Sequence, residues 1–276
     1  MYADHAVVTV SDMSRALANP GLSGRAVCVH SSLRSLGAGS IDAAGVVEAF
    51  LRQRCTVLVP TFSWDFATNP PPGRRPARNG CDYDHLHKAP AGAARMYEPE
   101  VADVDADMGV LARTILKMPG HLRSGHPLCS FAAVGPLAGD LIPQGRNMDL
   151  CAPLNNLCEA DGSVLLIGVD LRSMTLIHVA EKLAGRRLFR RWARAAQGVV
   201  EVEVGGCSNG FTNLEPALRP YARREAVGSS FLTEFVGREA LHAASAAIRA
   251  DRSITHCGDS FCGRCNDAVR GGPESN

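Results

Sequence analysis

No stretch of this 276-residue sequence approaches the about 18 continuous apolar residues of a membrane-spanning helix. Nor is there an excess of charge of either sign. The formal net charge is +1, so nothing in the balance calls for nucleic acid or an anionic membrane surface. The opening MYADHAVVTVSDMSRAL lacks the basic and apolar regions of a secretion signal, and a cytoplasmic location is the expectation. A disulfide framework is also missing. The ten cysteines are scattered, many in apolar runs such as AVCVH and LCSFAA, a pattern that suits buried thiols in a reducing compartment. There is no internal repeat and no clean linker. A hydrophobic fraction of 46% against 21% charged is that of a soluble globular chain with a substantial core.

What is present is an alternation of strands and helices. RAVCVHSSL reads as a buried strand entering a serine-rich turn, and SIDAAGVVEAFLRQ has helical spacing with Ser40 and Asp42 as cap candidates. CTVLVPTF, SFAAVG and SVLLIGVD read as short buried strands, and GVVEVEVGG alternates with period two as a half-buried strand should. GVLARTILKM, MTLIHVAEKLA and TEFVGREALHAASAAIRAD read as helices. Between residues 64 and 107 the periodicity dissolves into a Pro/Gly/Arg-rich and then acidic segment, which marks a functional loop or insertion. The end of the chain reads as disordered. The expected class is α/β, with a mixed central sheet flanked by helices, in a single domain over residues 1–276.

One helix carries a histidine. In RSMTLIHVAEKLAG, Thr175 and His178 are three residues apart and share a helix face. A neutral imidazole near its usual pKa of about 6.5 can accept a proton, and a nearby hydroxyl can donate to a developing oxyanion. On spacing alone the reading of this histidine as an ordinary helix residue is the favoured one.

Four segments in order, VHSSLRSLGAG, VLVPTFS, DMGVLARTILKMPGHLRSGHPLCSFAAVGP and DGSVLLIGVDLRSMTLIHVAE, closely resemble the aminoglycoside 3-N-acetyltransferase family. The resemblance covers most of residues 25 to 182. It implies an acetyl-CoA-dependent N-acetyltransferase with a family-specific fold distinct from that of the GNAT enzymes. By resemblance His178 is the general base and Thr175 polarises the thioester carbonyl. The family's orienting acid, in a C-S-[DE]-G-F segment, falls here on Asn209, with Glu181 and Glu215 as substitutes. The HSSLRSLG turn implies CoA contacts at Ser31, Ser32, Leu33, Arg34 and Ser35. Met108, Gly109, Ser124, His126, Ser130 and Phe131 fall in further cofactor-lining segments, with Arg123 open to reading as a surface residue and His126–Pro127 as a turn.

An aminoglycoside is a polycation, so its pocket should carry carboxylates. Asp103, Asp105 and Asp107 stand where the family's variable loop frames the acceptor; Trp64 and Asp65 open the same loop, and Glu181 is a further acceptor-binding candidate. The Arg-rich PGRRPARNG is out of place beside a polycation. It points outward or marks another acceptor. A homodimer is compatible with the family.

The tail THCGDSFCGRCNDA holds a C-x₂-C pair, Cys262 and Cys265, a spacing at which two thiolates chelate one zinc. A branch of the family carries a similar ending with a structural zinc completed by the cysteine of the CS-x-GF segment, here Cys207. The implied ligands are Cys207, Cys262, Cys265 and either His256 or Cys257, stapling residues 255–270 to the domain. Two other readings stand beside this one: a nonenzymatic zinc-stapled module, and an enzyme that acylates another small amine in a biosynthetic pathway.

Overall fold

A computed structural model describes residues 7–83, 95–143, 145 and 147–274. In chain order the elements are α1 (Val10–Ala18), β1 (Ala26–Ser31), α2 (Ala43–Arg52), β2 (Thr56–Pro60), β3 (Ala67–Thr68), α3 (Gly109–Ile115), β4 (Leu122–Arg123) and β5 (Phe131–Val134). There follow α4 (Ala138–Leu141), α5 (Ala152–Glu159), β6 (Ser163–Ile167), α6 (Leu176–Leu183), β7 (Phe189–Ala195) and β8 (Gly198–Val204). The chain closes with α7 (Glu215–Leu218), β9 (Ala222–Val227), β10 (Ser230–Val236), α8 (Gly237–Ala250) and α9 (Gly263–Val269).

Seven strands form a mixed sheet in the order β4-β5-β2-β1-β6-β10-β9. The central three, β2, β1 and β6, run parallel, and the flanking pairs are antiparallel. Central strands are buried on both faces, which is why they read as continuous apolar runs. Their side chains alternate between two apolar clusters. Ala26, Cys28, Leu58, Val164 and Leu166 face a cluster shared with α5, α6 and α8. Val27, Val29, Val57, Val59 and Leu165 face α1, α2 and α3. Fully burying a leucine or phenylalanine such as Leu58 or Phe50 contributes about 1.5–3 kcal/mol. A smaller antiparallel sheet, β3-β7-β8, packs on the first cluster through Phe189, Ala193, Val202 and Val204. Among the described residues no helix is long and apolar enough to cross a membrane.

Several local expectations need correction. Asp42 caps α2, accepting from the Gly45 N–H at 2.9 Å; Ser40 instead accepts from Val8 and donates to the Leu36 carbonyl. The segment read as one late helix is a strand, β10, followed by α8. β10 pairs with β6 on one side and β9 on the other, and this tertiary pairing overrides the local pattern. Arg123 is buried and not a surface residue. Its guanidinium donates to the carbonyls of Thr61, Val101 and Asp103. The described part of the tail, through Glu274, also folds onto the domain. After α9 the chain folds back so that Gly272 sits against Arg187, and a Cβ there would lie 2.0 Å from the Arg187 carbonyl oxygen. With φ at +89°, only glycine fits.

Candidate active site

The carboxyl ends of the parallel strands open into a cavity of about 540 Å³, the usual position for a ligand in an α/β sheet. His30 and Ser31 close β1 at its floor, Val59 and Pro60 close β2, and Val169 follows β6. A short turn then leads into α6, so Thr175 at the helix start and His178 in its first turn face the same space.

His178 Nδ1 lies 2.8 Å from Glu181 Oε2, one turn along α6. With Nδ1 donating to the carboxylate, Nε2 is left as the acceptor, the form a base requires. Glu181 is buried and its second oxygen accepts from Arg186 Nη1 at 2.5 Å and from Thr255 Oγ1 at 3.3 Å. Arg186, itself buried, also donates to Thr255 Oγ1 and to the Arg252 carbonyl. The imidazole is held edge-on by the Phe211 ring, 4.9 Å between centroids. On its other side stands Gly205, where a Cβ would come 2.5 Å from Nε2.

A second cavity of about 720 Å³ adjoins the first and shares Val169, Arg172 and Ser173 with it. Hydroxyls dominate its wall: Ser32, Ser35, Ser229, Ser230 and Thr233. Ser35 Oγ bonds the Ser32 carbonyl and Ser230 Oγ, which fixes the turn after β1. Gly168 is required beside it, because its φ is +62° and a Cβ would overlap Ser35. On the far side of His178, the sulfurs of Cys207, Cys257, Cys262 and Cys265 all lie within 4.8 Å of one another.

Comparison with known proteins decides the family. Residues 28–259 match the family model described as aminoglycoside 3-N-acetyltransferase. The chain belongs to that family. Aminoglycoside N(3)-acetyltransferase IX of Micromonospora chalcea is 32% identical over 197 residues, 65% of this chain and 64% of that protein. The chain thus spans somewhat under two thirds of this relative's length. A mutant of aminoglycoside acetyltransferase AAC(3)-IVa in complex with gentamicin superposes with a TM-score of 0.76 at 24% identity, covering 98% of this chain and 100% of that one. AAC-IIIb, solved as a binary complex with CoASH, gives 0.70 at 22% identity over 89% and 97%. These two likenesses show the shared fold.

Within the aminoglycoside 3-N-acetyltransferase fold the candidate residues separate clearly. His178 and Thr175 meet at the cavity, and Glu181 orients the imidazole. Asn209 is exposed, and no hydrogen bond joins its side chain to His178. Glu215 is exposed and pairs with Arg219. The carboxylate on the base's own helix takes the place expected of both. Of the turn residues, Ser31, Ser32 and Ser35 line the two cavities, whereas Arg34 is exposed and neither it nor Leu33 reaches them. Met108 lines the first cavity, and Gly109 beside it starts α3 with φ at +76°.

Ser124, His126, Ser130 and Phe131 are buried and line neither cavity. Ser124 Oγ accepts from the Phe131 N–H, and Ser130 Oγ bonds Thr61. His126 donates from Nε2 to the Glu203 carbonyl and accepts at Nδ1 from the N–H groups of Leu128 and Cys129. Burial lowers its pKa to about 4, so it is a neutral structural hinge.

On the acceptor side only Trp64 and Asp107 of the predicted loop residues reach the cavity, with Glu181 behind His178. Asp103 pairs with Arg95, and with Asp65 it lines a separate depression of about 220 Å³. Asp105 accepts the Trp64 N–H at 2.9 Å. Partial burial raises its pKa to about 6, and the charges of Asp107 and Asp65 add to the shift. In the Arg-rich segment, Arg78 pairs with Glu274 and donates to the Gly272 carbonyl, so it anchors the tail. Among the implied metal ligands, His256 is turned away. Its Nε2 lies 3.1 Å from Asn266 Oδ1 and its Nδ1 accepts from Gly258, which leaves Cys257 as the fourth member. The sequence reading missed His30, Gly205, Phe211 and Arg264, all on the cavity wall. None sits in a pattern that marks it; only the fold brings them there.

Proposed function

We propose that the chain transfers the acetyl group of acetyl-CoA to the 3-amino group of the 2-deoxystreptamine ring of aminoglycosides, and that its cellular role is antibiotic resistance in the cytoplasm. The observation that carries the reading is the His178–Glu181 pair, with Nε2 open to a cavity at the ends of the parallel strands. The adjoining hydroxyl-lined cavity suits the phosphates and pantetheine amides of CoA, with Ser31, Ser32, Ser35 and Arg172 as its contacts.

The acceptor amine arrives as an ammonium ion and cannot attack until it loses a proton. His178 Nε2 takes that proton, and Glu181 stabilises the resulting imidazolium. The nitrogen attacks the thioester carbonyl while the Thr175 hydroxyl donates to the developing oxyanion. As the tetrahedral intermediate collapses, the C–S bond breaks and the proton held by His178 goes to the departing CoA sulfur; the second proton, lost from the attacking nitrogen as it becomes the amide, passes to solvent. No acyl-enzyme forms, in keeping with the buried cysteines: burial pushes the thiols of Cys129 and Cys151 well above their ordinary range.

The cysteine cluster fits a structural zinc held by Cys207, Cys257, Cys262 and Cys265. Tetrahedral zinc with Zn–S bonds of about 2.3 Å needs sulfurs about 3.8 Å apart, and the four sulfurs lie within 4.8 Å of one another. Such an ion would hold the tail to the segment carrying Gly205 and Phe211, and it has no step in the transfer. Incubation with acetyl-CoA and an aminoglycoside, followed by NMR of the product, tests the proposal. The acetyl group is expected on the 3-amino nitrogen; an acetyl at another amine, or no product, counts against it.

A further inference from the structure

The wall of the cavity beside His178 lacks the excess of carboxylates that a polycation calls for. Among the described residues it carries one carboxylate, Asp107, and two guanidinium groups, Arg172 and Arg264. Arg172 is neutralised by Asp170, with Nη2 2.6 Å from Oδ2. Arg264 has no such partner: no carboxylate of the described residues lies within ion-pair distance, and the side chain is exposed. It sits on α9, between Cys262 and Cys265.

Arg264 lines the cavity beside His178 and not the hydroxyl-lined one that suits CoA. Its charge is felt at buried Arg191, whose pKa is held down chiefly by burial, with Arg264 adding in the same direction. Cys81 and Tyr83, of the 64–107 segment, and Cys129 also act on Arg191. The carboxylates that would offset a cation at this wall are engaged elsewhere: Asp103 on Arg95, Asp105 on the Trp64 N–H, and Glu181 on Arg186.

We infer that Arg264 is a specificity-determining residue of the acceptor site, selecting acceptors of low positive charge, such as hydroxyl-rich amino sugars with few amines, against heavily aminated ones. A guanidinium stays protonated at every working pH, so each additional ammonium brought near it raises the energy of the bound acceptor. This inference rests on the acetyl-transfer reading and narrows its substrate class.

The test is kcat/KM from CoA thiol release, for acceptors bearing few and many amino groups, at low and high ionic strength. Wild type is compared with Arg264→Lys, Arg264→Gln and Arg264→Glu. Arg264→Gln is expected to raise the heavily aminated acceptors by about 3- to 10-fold relative to the sparsely aminated ones, and Arg264→Glu by more. Arg264→Lys keeps the wild-type ratio, and KM for acetyl-CoA stays unchanged throughout. Added salt should narrow the differences. An unchanged acceptor ratio in the Gln and Glu variants overturns the inference, as does a raised KM for acetyl-CoA, which would assign Arg264 to a cofactor phosphate. Should those variants fail to fold, wild type alone decides: salt must favour the heavily aminated acceptor, and a shift the other way overturns the inference. No thiol release by wild type with any acceptor defeats the acetyl-transfer reading itself, and this inference with it.

Discussion

His178 and Glu181 face each other one turn apart on α6, Nδ1 to Oε2 at 2.8 Å, and Arg186 holds the remaining carboxylate oxygen. The imidazole is therefore oriented from within its own helix. Asn209, after β8, where the family resemblance placed the acid, is exposed and makes no hydrogen bond to the imidazole. Glu181→Gln should lower kcat by about 10²-fold, because the imidazolium loses its counter-charge. It should also destabilise the fold by about 3 kcal/mol, since Arg186 is left buried and unpaired. Asn209→Ala should change kcat by less than about twofold. Steady-state kinetics on the two variants compares them directly, and equal losses would return the orienting role to Asn209.

Gly205 is the second constraint on the imidazole. Its backbone is not strained, but a methyl group there would meet His178 Cδ2 at 2.4 Å and Nε2 at 2.5 Å. Gly205→Ala should displace the ring by about 1 Å and cost about 10²-fold in kcat. Far-ultraviolet circular dichroism should show the fold retained. Wild-type turnover in this variant would mean that Nε2 does not act from its present position.

Acid should weaken the fold through two histidines. Burial lowers the pKa of His30 and of His126 to about 4 each, against about 6.5 in an unfolded chain. Between those values the unfolded state binds protons that the folded state does not, so stability is full above pH about 6.5 and falls as pH drops toward 4. Each site contributes on the order of 3 kcal/mol over that span. Asp105 acts in the opposite sense, its folded pKa being raised to about 6, but solvent screening reduces its share. Urea unfolding at pH 7 and pH 5 measures the balance, and His126→Gln should flatten it. Equal stability at both pH values would contradict the buried neutral histidines.

The four-cysteine cluster predicts about one zinc per chain in protein purified without chelator. Chelation or Cys257→Ser should lower Tm by about 5 °C or more, while His256→Ala should leave metal content unchanged. Metal analysis and calorimetry check both. Loss of zinc in the histidine variant would reinstate His256 as a ligand.

The sequence made the central strands and α6 legible because burial on both faces, or on one helical stripe, leaves an apolar pattern. It hid β7, where Arg190, Arg191 and Arg194 interrupt the run; Arg191 is buried with the Asn79 and Arg190 carbonyls accepting from it. It hid β10 as well, since Glu234 sits inside the sheet with Ser163 as its donor. Motif order pointed to Thr175 and His178, and cysteine spacing pointed to the tail cluster. The choice of Glu181 over Asn209, the diversion of Asp65, Asp103 and Asp105 from the cavity, and the arrival of Arg264 there all depend on contacts between distant segments. No local pattern records them.

Thiol release from acetyl-CoA in the presence of an aminoglycoside, measured for wild type and His178→Ala side by side, tests the central claim most directly. The account predicts acceptor-dependent release by wild type and a loss of about 10²- to 10⁴-fold in the variant, with acetyl-CoA still bound. Undiminished release by His178→Ala would contradict it.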